Sequence, residues 1–375
     1  MDSSLTRLVP PLTGMPSYRR VLHLACGTGL QAAGVQRHVA DLSCGLLRRG
    51  HRVWVACPDG SWLQDQLAAG IRHVSWNDPL FGQARSLRKL EALIRKERID
   101  VIHAHNRTST RVAMKLREAT GVRIIITAHT MVPYPEYREA DSALAVSRAA
   151  AERYLRHGVC GNQVPEVIYG GVDVEAFRPE PDARASVRDE LRLPPLAPLV
   201  LTVSRLAKKS NIRCFLEAAA IVRRQLPEAR FAVVGDGPLR ARGSALLARH
   251  ALGLRRQVSF LGDRSDVPRL LAAADTFVLC SRQEALGLAI LEAMACRVPV
   301  VATQVDGIAE ALVDGESGLL CPPRPDEVAS RIVTLLRAPR AAREMGQAAH
   351  RRVCERFNLG EMVERHEQVY RSLPA

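Results

Sequence analysis

The feature that most limits how this chain can fold is a regular alternation of two patterns. Short β-branched runs are each followed by an amphipathic helical segment, and the series restarts near the middle of the 375 residues. In the first half, strands are predicted at Arg20–Ala25, Arg52–Cys57, Val101–Ala104, Arg123–Ala128 and Ala143–Ser147. Helices are predicted at Val35–Arg49, Ser86–Lys96 and Thr108–Ala119. The stretch from Phe177 to Pro198, rich in proline and charge, reads as a linker. The alternation resumes at Leu199–Ser204 and runs to Cys321, and helices follow between Ala341 and Ser372. Strands separated by helices build parallel sheets, because parallel neighbours need a crossover between them. The fold class is therefore α/β, with two doubly wound parallel sheets of Rossmann-like type. The predicted domains are 1–178 and 199–357, joined by a linker at 179–198 and closed by a terminal helix at 358–375.

Open parallel sheets bind ligands at the carboxyl ends of their strands. One stretch there carries most of the chemistry: Ser281-Arg-Gln-Glu284-Ala-Leu-Gly287-Leu-Ala-Ile-Leu-Glu292, followed by Val-Pro299-Val-Val301. Glu284 falls where the predicted strand Asp275–Cys280 runs out. Gly287 marks a helix start, and Glu292 is expected about two turns in. Free amides at a helix start favour a diphosphate, and carboxylates accept hydrogen bonds from sugar hydroxyls. Phosphate and polyol held together are what a nucleotide-sugar enzyme needs.

Other motifs stand in order around this one: Ser204-Arg205-Leu206, Val234-Gly235-Asp236-Gly237-Pro238, Phe260-Leu261-Gly262 and Asp314-Gly315-Glu-Ser-Gly318-Leu319-Leu320. Arg49-Gly50-His51-Arg-Val53 and Tyr169-Gly-Gly171-Val172-Asp173 extend the series into the first half. Together with the Glu-x7-Glu spacing, the ordered set resembles the retaining, family-four glycosyltransferases of GT-B architecture over nearly the whole chain. The resemblance implies donor binding on the second domain, acceptor binding on the first, and a last helix that crosses back to the first.

By that resemblance Glu284 contacts the donor sugar and Glu292 the nucleotide ribose, while Arg205 clamps the diphosphate as a permanent charge. His129, in Thr127-Ala-His129-Thr130, matches the family histidine that faces the sugar. Gly235, Gly237, Leu286, Gly287 and Leu288 complete the donor site, with Lys209 and Ser210 beside the diphosphate. Gly29, Ala33 and Gly34 approach phosphate and acceptor from the opposite domain. Each has a plainer alternative: a surface carboxylate, a solvated helix residue, one arginine among many, or an ordinary strand-end histidine. His103 and His105 share one face of a strand at period two. A pair with no third ligand evident in the sequence points to structural roles.

Several positions depart from the family. Ser210 and Asn211 stand where lysine and often glycine are usual, and Arg297 where glycine usually follows the helix. Leu286 replaces phenylalanine, Ala33 the first of a glycine pair, and Gly170 an asparagine, the last a mild swap if the backbone there needs positive φ. Losing one charge-assisted contact costs about 1.5–3 kcal/mol. The same residues therefore remain compatible with a catalytically weak paralogue acting as a binding subunit, or with a sugar-nucleotide epimerase.

No Asp-x-Asp motif is present, so no metal or other cofactor is expected, and Arg205 and helix amides take the place of Mg²⁺. Gly27-Thr-Gly29 followed by Ala32 is not the dinucleotide pattern, which argues against nicotinamide chemistry. The net charge of +14 is spread over both halves without a basic block, so nucleic acid is not an expected partner. It suits an anionic substrate or a peripheral contact with an anionic inner membrane. The partners expected are a nucleotide-sugar donor and a glycan or lipid-linked acceptor. The nine scattered cysteines match no metal or disulfide framework, and no apolar run reaches spanning length. A cytoplasmic protein, docking on the cytoplasmic face of the membrane, is the expectation.

Overall fold

The computed structural model describes residues 18–26, 34–76, 83–178, 182–194, 196–241 and 243–374. The first sheet contains β1 (Arg20–Leu24), β2 (Arg52–Cys57), β3 (Arg72–Ser75), β4 (Val101–Ala104), β5 (Arg123–Ala128), β6 (Ser142–Ala145) and β7 (Glu166–Val167). The second contains β8 (Leu199–Val203), β9 (Arg230–Val234), β10 (Val258–Gly262), β11 (Thr276–Leu279), β12 (Val300–Thr303) and β13 (Leu319–Cys321). The strand orders are β3-β2-β1-β4-β5-β6-β7 and β10-β9-β8-β11-β12-β13, and the pairings are parallel. Both sheets are covered by helices, so their strands are almost wholly buried and read as continuous apolar runs.

In both sheets the chain starts in the middle, winds outwards, then returns beside its first strand and winds the other way. The reversal falls between β1 and β4 in one sheet and between β8 and β11 in the other. Loops leaving those neighbouring strands diverge to opposite faces and leave a crevice between them. Arg205 follows β8 and Glu284 follows β11, while His105 follows β4.

The sequence missed β3 and β7. The first is an outer strand with a polar Arg-His-Val-Ser pattern, and the second has only two residues. The strand predicted to reach Ser147 stops at Ala145, because the Ser147 side chain caps the Arg148–Arg156 helix by accepting from Ala150 N at 3.1 Å. The stretch predicted as a linker contains a helix, Ala183–Glu190, docked on the second domain. Val187 is buried there, and Glu190 pairs with Arg264 and Arg269 at 2.7 Å each.

The terminal helix, Leu359–Ser372, packs on the first domain against the Gly34–Arg48 helix, where a Cβ at Gly45 would collide with Val363. Glu367 fixes its register by accepting from Arg49 at 2.7 Å and from His51 at 2.8 Å. Gly171 lies so close to the Leu359 backbone that its missing Cβ is a packing requirement. Gly170 does not have positive φ, contrary to the sequence expectation; a Cβ there would stand 2.9 Å from Leu288 Cδ2. It is small because a leucine of the other domain leans on it.

Arg297 does adopt the left-handed conformation, at φ 60°, just after the Leu288–Ala295 helix, and its side chain is exposed. A branched Cβ costs roughly 1 kcal/mol in that region. Arg297→Gly should therefore raise unfolding stability by up to about 1 kcal/mol, and Arg297→Val should lower it. Urea unfolding of the two variants checks this; equal destabilisation by both would show that the arginine side chain matters instead.

Candidate active site

The second-domain wall begins where β8 ends. The loop from Ser204 to Leu206 is stacked under the loop that follows β9, with Ser204 N donating to Val234 O at 3.0 Å and Leu206 N to Asp236 O at 2.8 Å. Gly235 (φ 115°) and Gly237 (φ 153°) make this stacking possible. A Cβ on Gly235 would overlap the Ser204 carbonyl, and one on Gly237 would lie 2.7 Å from Leu206 O. The stack leaves Arg205 exposed at the crest, with no carboxylate paired to it among the described residues. Ser210 does not face the crevice. It is buried, and its hydroxyl donates to Arg205 O at 2.5 Å, tying the loop back on itself. Asn211 sits at φ 52°, and asparagine is among the few side chains that tolerate this.

Beyond β11, Glu284 is half-buried. Its backbone N–H donates to Asp306 Oδ2 at 3.2 Å, and Ser281 Oγ donates to its Oε2 at 3.4 Å. Lys209 reaches the same carboxylate, Nζ to Oε1 4.0 Å, so a cation one residue before the position the family uses stands at the crevice. Gly287, at φ 90°, N-caps the helix Leu288–Ala295, whose first amides have no partner within the helix. Leu286 is buried, and Leu288 packs against Gly34 and Gly170 of the first domain. What these leucines offer a ligand is backbone.

Glu292 lies about one turn into the helix, not two. It is buried and bridged across the domains to Arg37, Nε to Oε1 3.0 Å. Arg37 itself lies over the rings of Trp62 and Phe177, at 5.1 and 5.6 Å. Burial raises the Glu292 pKa, and Arg37 opposes the rise. One turn along from Arg37, burial lifts Asp41 to about 7; Arg37 and Arg48 pull it down, while Glu292 and Asp173 push it up.

The first-domain wall is made of imidazoles. His23 and His103 are register partners on β1 and β4. His105 and half-buried His129 follow β4 and β5, and His38 and His366 come from the two helices covering the sheet. His105 is hydrogen-bonded on one side to His23 (2.9 Å) and on the other to His129 (3.1 Å). His103 bonds the Tyr370 hydroxyl and the Thr127 hydroxyl, both at 2.7 Å. Burial lowers all six pKa values, that of His129 to about 3, so these rings are uncharged at neutral pH. Gly34 opens the first helix, whereas Gly29 and Ala33 lie outside the described residues.

A second cross-domain contact involves Glu310. Its carboxylate accepts from Arg148 N (2.9 Å) and Ala149 N (2.8 Å), capping a helix of the first domain, and from the Tyr169 hydroxyl at 2.8 Å. Arg352 donates to the Glu310 carbonyl at 2.8 Å.

This architecture has relatives. Residues 197–338 match the family model of glycosyl transferases group 1, and residues 32–176 that of glycosyltransferase family 4. A D-inositol 3-phosphate glycosyltransferase of Catenulispora acidiphila is 33% identical over 298 residues, 70% of this chain and 68% of that one. The chain belongs to the family-4, GT-B glycosyltransferases. A D-inositol 3-phosphate glycosyltransferase of Segniliparus rotundus is 28% identical across 90% of this glycosyltransferase and 86% of its own length. Among solved structures, Anabaena HepE in complex with UDP-glucose superposes with a TM-score of 0.85 at 22% identity, covering 95% of this chain and all of that one. Sucrose-phosphate synthase from Thermosynechococcus elongatus gives 0.81 at 24% identity, over 94% and 98% of the two chains. These two share the fold.

Sequence reasoning overlooked Arg37, Asp41 and Glu310 in this glycosyltransferase. The spacing of Arg37 and Asp41, one helical turn apart, was a visible signal; Glu310 carried none. For Asp41, a pKa raised from 3.8 to about 7 means that its contribution to stability is complete below about pH 4 and lost as pH rises through 7. Asp41→Asn should therefore raise the melting temperature by several degrees at pH 8 and leave it nearly unchanged below pH 4. An equal shift at both ends would mean that this carboxyl ionises freely.

Proposed function

We propose that this glycosyltransferase moves a sugar from a nucleoside diphosphate donor to an acceptor hydroxyl with retention at the anomeric carbon and without a metal. The observation that carries this reading is the convergence of Arg205, Lys209, Glu284 and the amides at the Leu288 helix start on one crevice between β8 and β11. Cations and helix amides suit a diphosphate, and the carboxylate suits sugar hydroxyls. The crystallised complexes of the structural relative HepE with UDP and with UDP-glucose agree with a donor of that class.

In this reading Arg205, Lys209 and the helix amides stabilise charge developing on the leaving diphosphate. The diphosphate oxygen takes the acceptor proton on the same face, so no protein base is required. Glu284 orients the sugar from the second domain, and His129, a neutral imidazole, donates to a hydroxyl from the first. Glu292 accepts from the ribose hydroxyls, which requires Arg37 to give up or share that carboxylate. The position usually held by lysine has become a loop anchor, Ser210, and Lys209 supplies the charge instead. That compensation favours an active transferase over a binding subunit.

The acceptor in this reading is a glycan or lipid-linked hydroxyl of the kind used in cell-surface polysaccharide or lipopolysaccharide synthesis. The charge of +14 fits docking from the cytoplasm on an anionic inner membrane. No helix among the described residues is long and apolar enough to cross a membrane.

A thermal-shift panel of nucleotide sugars and free nucleoside diphosphates identifies the donor by the stabilisation that binding confers. With that donor, transfer should persist in excess EDTA. Lys209→Ala and Arg205→Ala should each cost roughly 10- to 100-fold in kcat/KM, as expected for one lost charge-assisted contact. Glu284→Gln should reduce kcat more than donor affinity. Loss of transfer with chelator, restored by Mg²⁺, would overturn the metal-free reading. Unimpaired Lys209→Ala and Arg205→Ala variants would overturn the site.

A further inference from the structure

The histidine wall holds more than one contact residue needs. Two groups of three imidazoles each bring one nitrogen per ring within 4.8 Å of the others: His23, His103 and His105, and His38, His105 and His129. The groups differ in what their nitrogens already do. Both nitrogens of His103 are engaged by hydroxyls, from Tyr370 and Thr127, so a cation in the first group must break one of those bonds.

The second group is better prepared. His105 Nδ1 and His129 Nε2 are 3.1 Å apart, close to the ~3.3 Å that separates two ligands at ~2.0–2.1 Å on a tetrahedral ion. The other nitrogen of His105 rests on His23 Nδ1 at 2.9 Å, the outer contact that orients a ligating imidazole. His38 is buried with its Nε2 unpartnered, and its ring centroid lies 4.6 Å from that of His129. His129 is half-buried and is the least enclosed of the three rings.

We propose that His38, His105 and His129 form a three-imidazole site for a borderline divalent cation of the Zn²⁺ class, and that a cation held there competes with the donor sugar for His129. Neutral nitrogen donors without a carboxylate exclude Mg²⁺ and Ca²⁺, which demand oxygen. The competition rests on the reading that His129 faces the sugar; the site does not.

Co²⁺, whose absorption reports tetrahedral nitrogen ligation, is the probe. It is titrated into chelator-treated protein carrying no polyhistidine tag. The expected result is one equivalent bound, displaced by Zn²⁺ but not by Mg²⁺, and lost in His105→Asn and in His38→Gln. Should His105→Asn fail to fold, His38→Gln on its helix carries the test alone. Equimolar Zn²⁺ should suppress most sugar transfer, with recovery on adding EDTA. No tetrahedral signal would overturn the site, and a signal undiminished by either substitution would overturn it in favour of other histidines, such as the exposed His157. A cation bound as expected but without inhibition would uphold the site and overturn instead the placement of His129 at the sugar.

Discussion

Everything functional in this molecule depends on where each parallel sheet changes its direction of growth. A parallel strand is reached only through a crossover, so the chain leaves each strand at the same end of the sheet. Between β8 and β11 the exits of two neighbouring strands are thrown to opposite faces, and the space between them cannot be filled by either. The crest bearing Arg205 and the turn bearing Glu284 border that gap because of chain direction, before any side chain is chosen. The second-domain glycines then serve the geometry: Gly235 and Gly237 let one loop ride on another, and Gly287 sets the helix that closes the far side.

The first domain repeats the topology with different content. Among the described residues its wall is built from uncharged imidazoles, and it is sealed by the helix Leu359–Ser372. Tyr370 and His366 of that helix complete the histidine layer, while Glu367 gathers Arg49, His51 and Arg371. The terminal segment is thus a structural part of the first domain. Its contribution is chemical as well as mechanical, since it shields the imidazoles from water and holds them neutral.

Much of this was legible in the chain. The two parallel sheets follow from the alternation of strand and helix periods, and Arg205, Gly235 and Glu284 lie past their strand ends as expected, whereas Phe260-Leu261-Gly262 lies inside β10. What stayed hidden was pairing between distant segments. His103 and His105 showed only two ligands in sequence, since His23 and His38 arrive from other elements at a separation no local pattern encodes. Ser210 looked like a lost cation and proved to be a loop anchor, because the direction of a side chain in a tight turn is set by hydrogen bonding to Arg205 rather than by spacing. Gly170 was assigned to backbone freedom when the cause was a leucine from the other domain. The family relation was readable from motif order, which survives even where single positions change.

Glu310 ties the two halves together. Its carboxylate holds the start of a first-domain helix and the Tyr169 hydroxyl, and Arg352 grips its own carbonyl from behind. Three of these bonds run between the domains at one point. The Arg37–Glu292 bridge and the seat of Leu288 on Gly34 and Gly170 tie the same two bodies at other points. A ligand that took the Glu292 carboxylate from Arg37 would release one of these ties and leave the Glu310 contact standing.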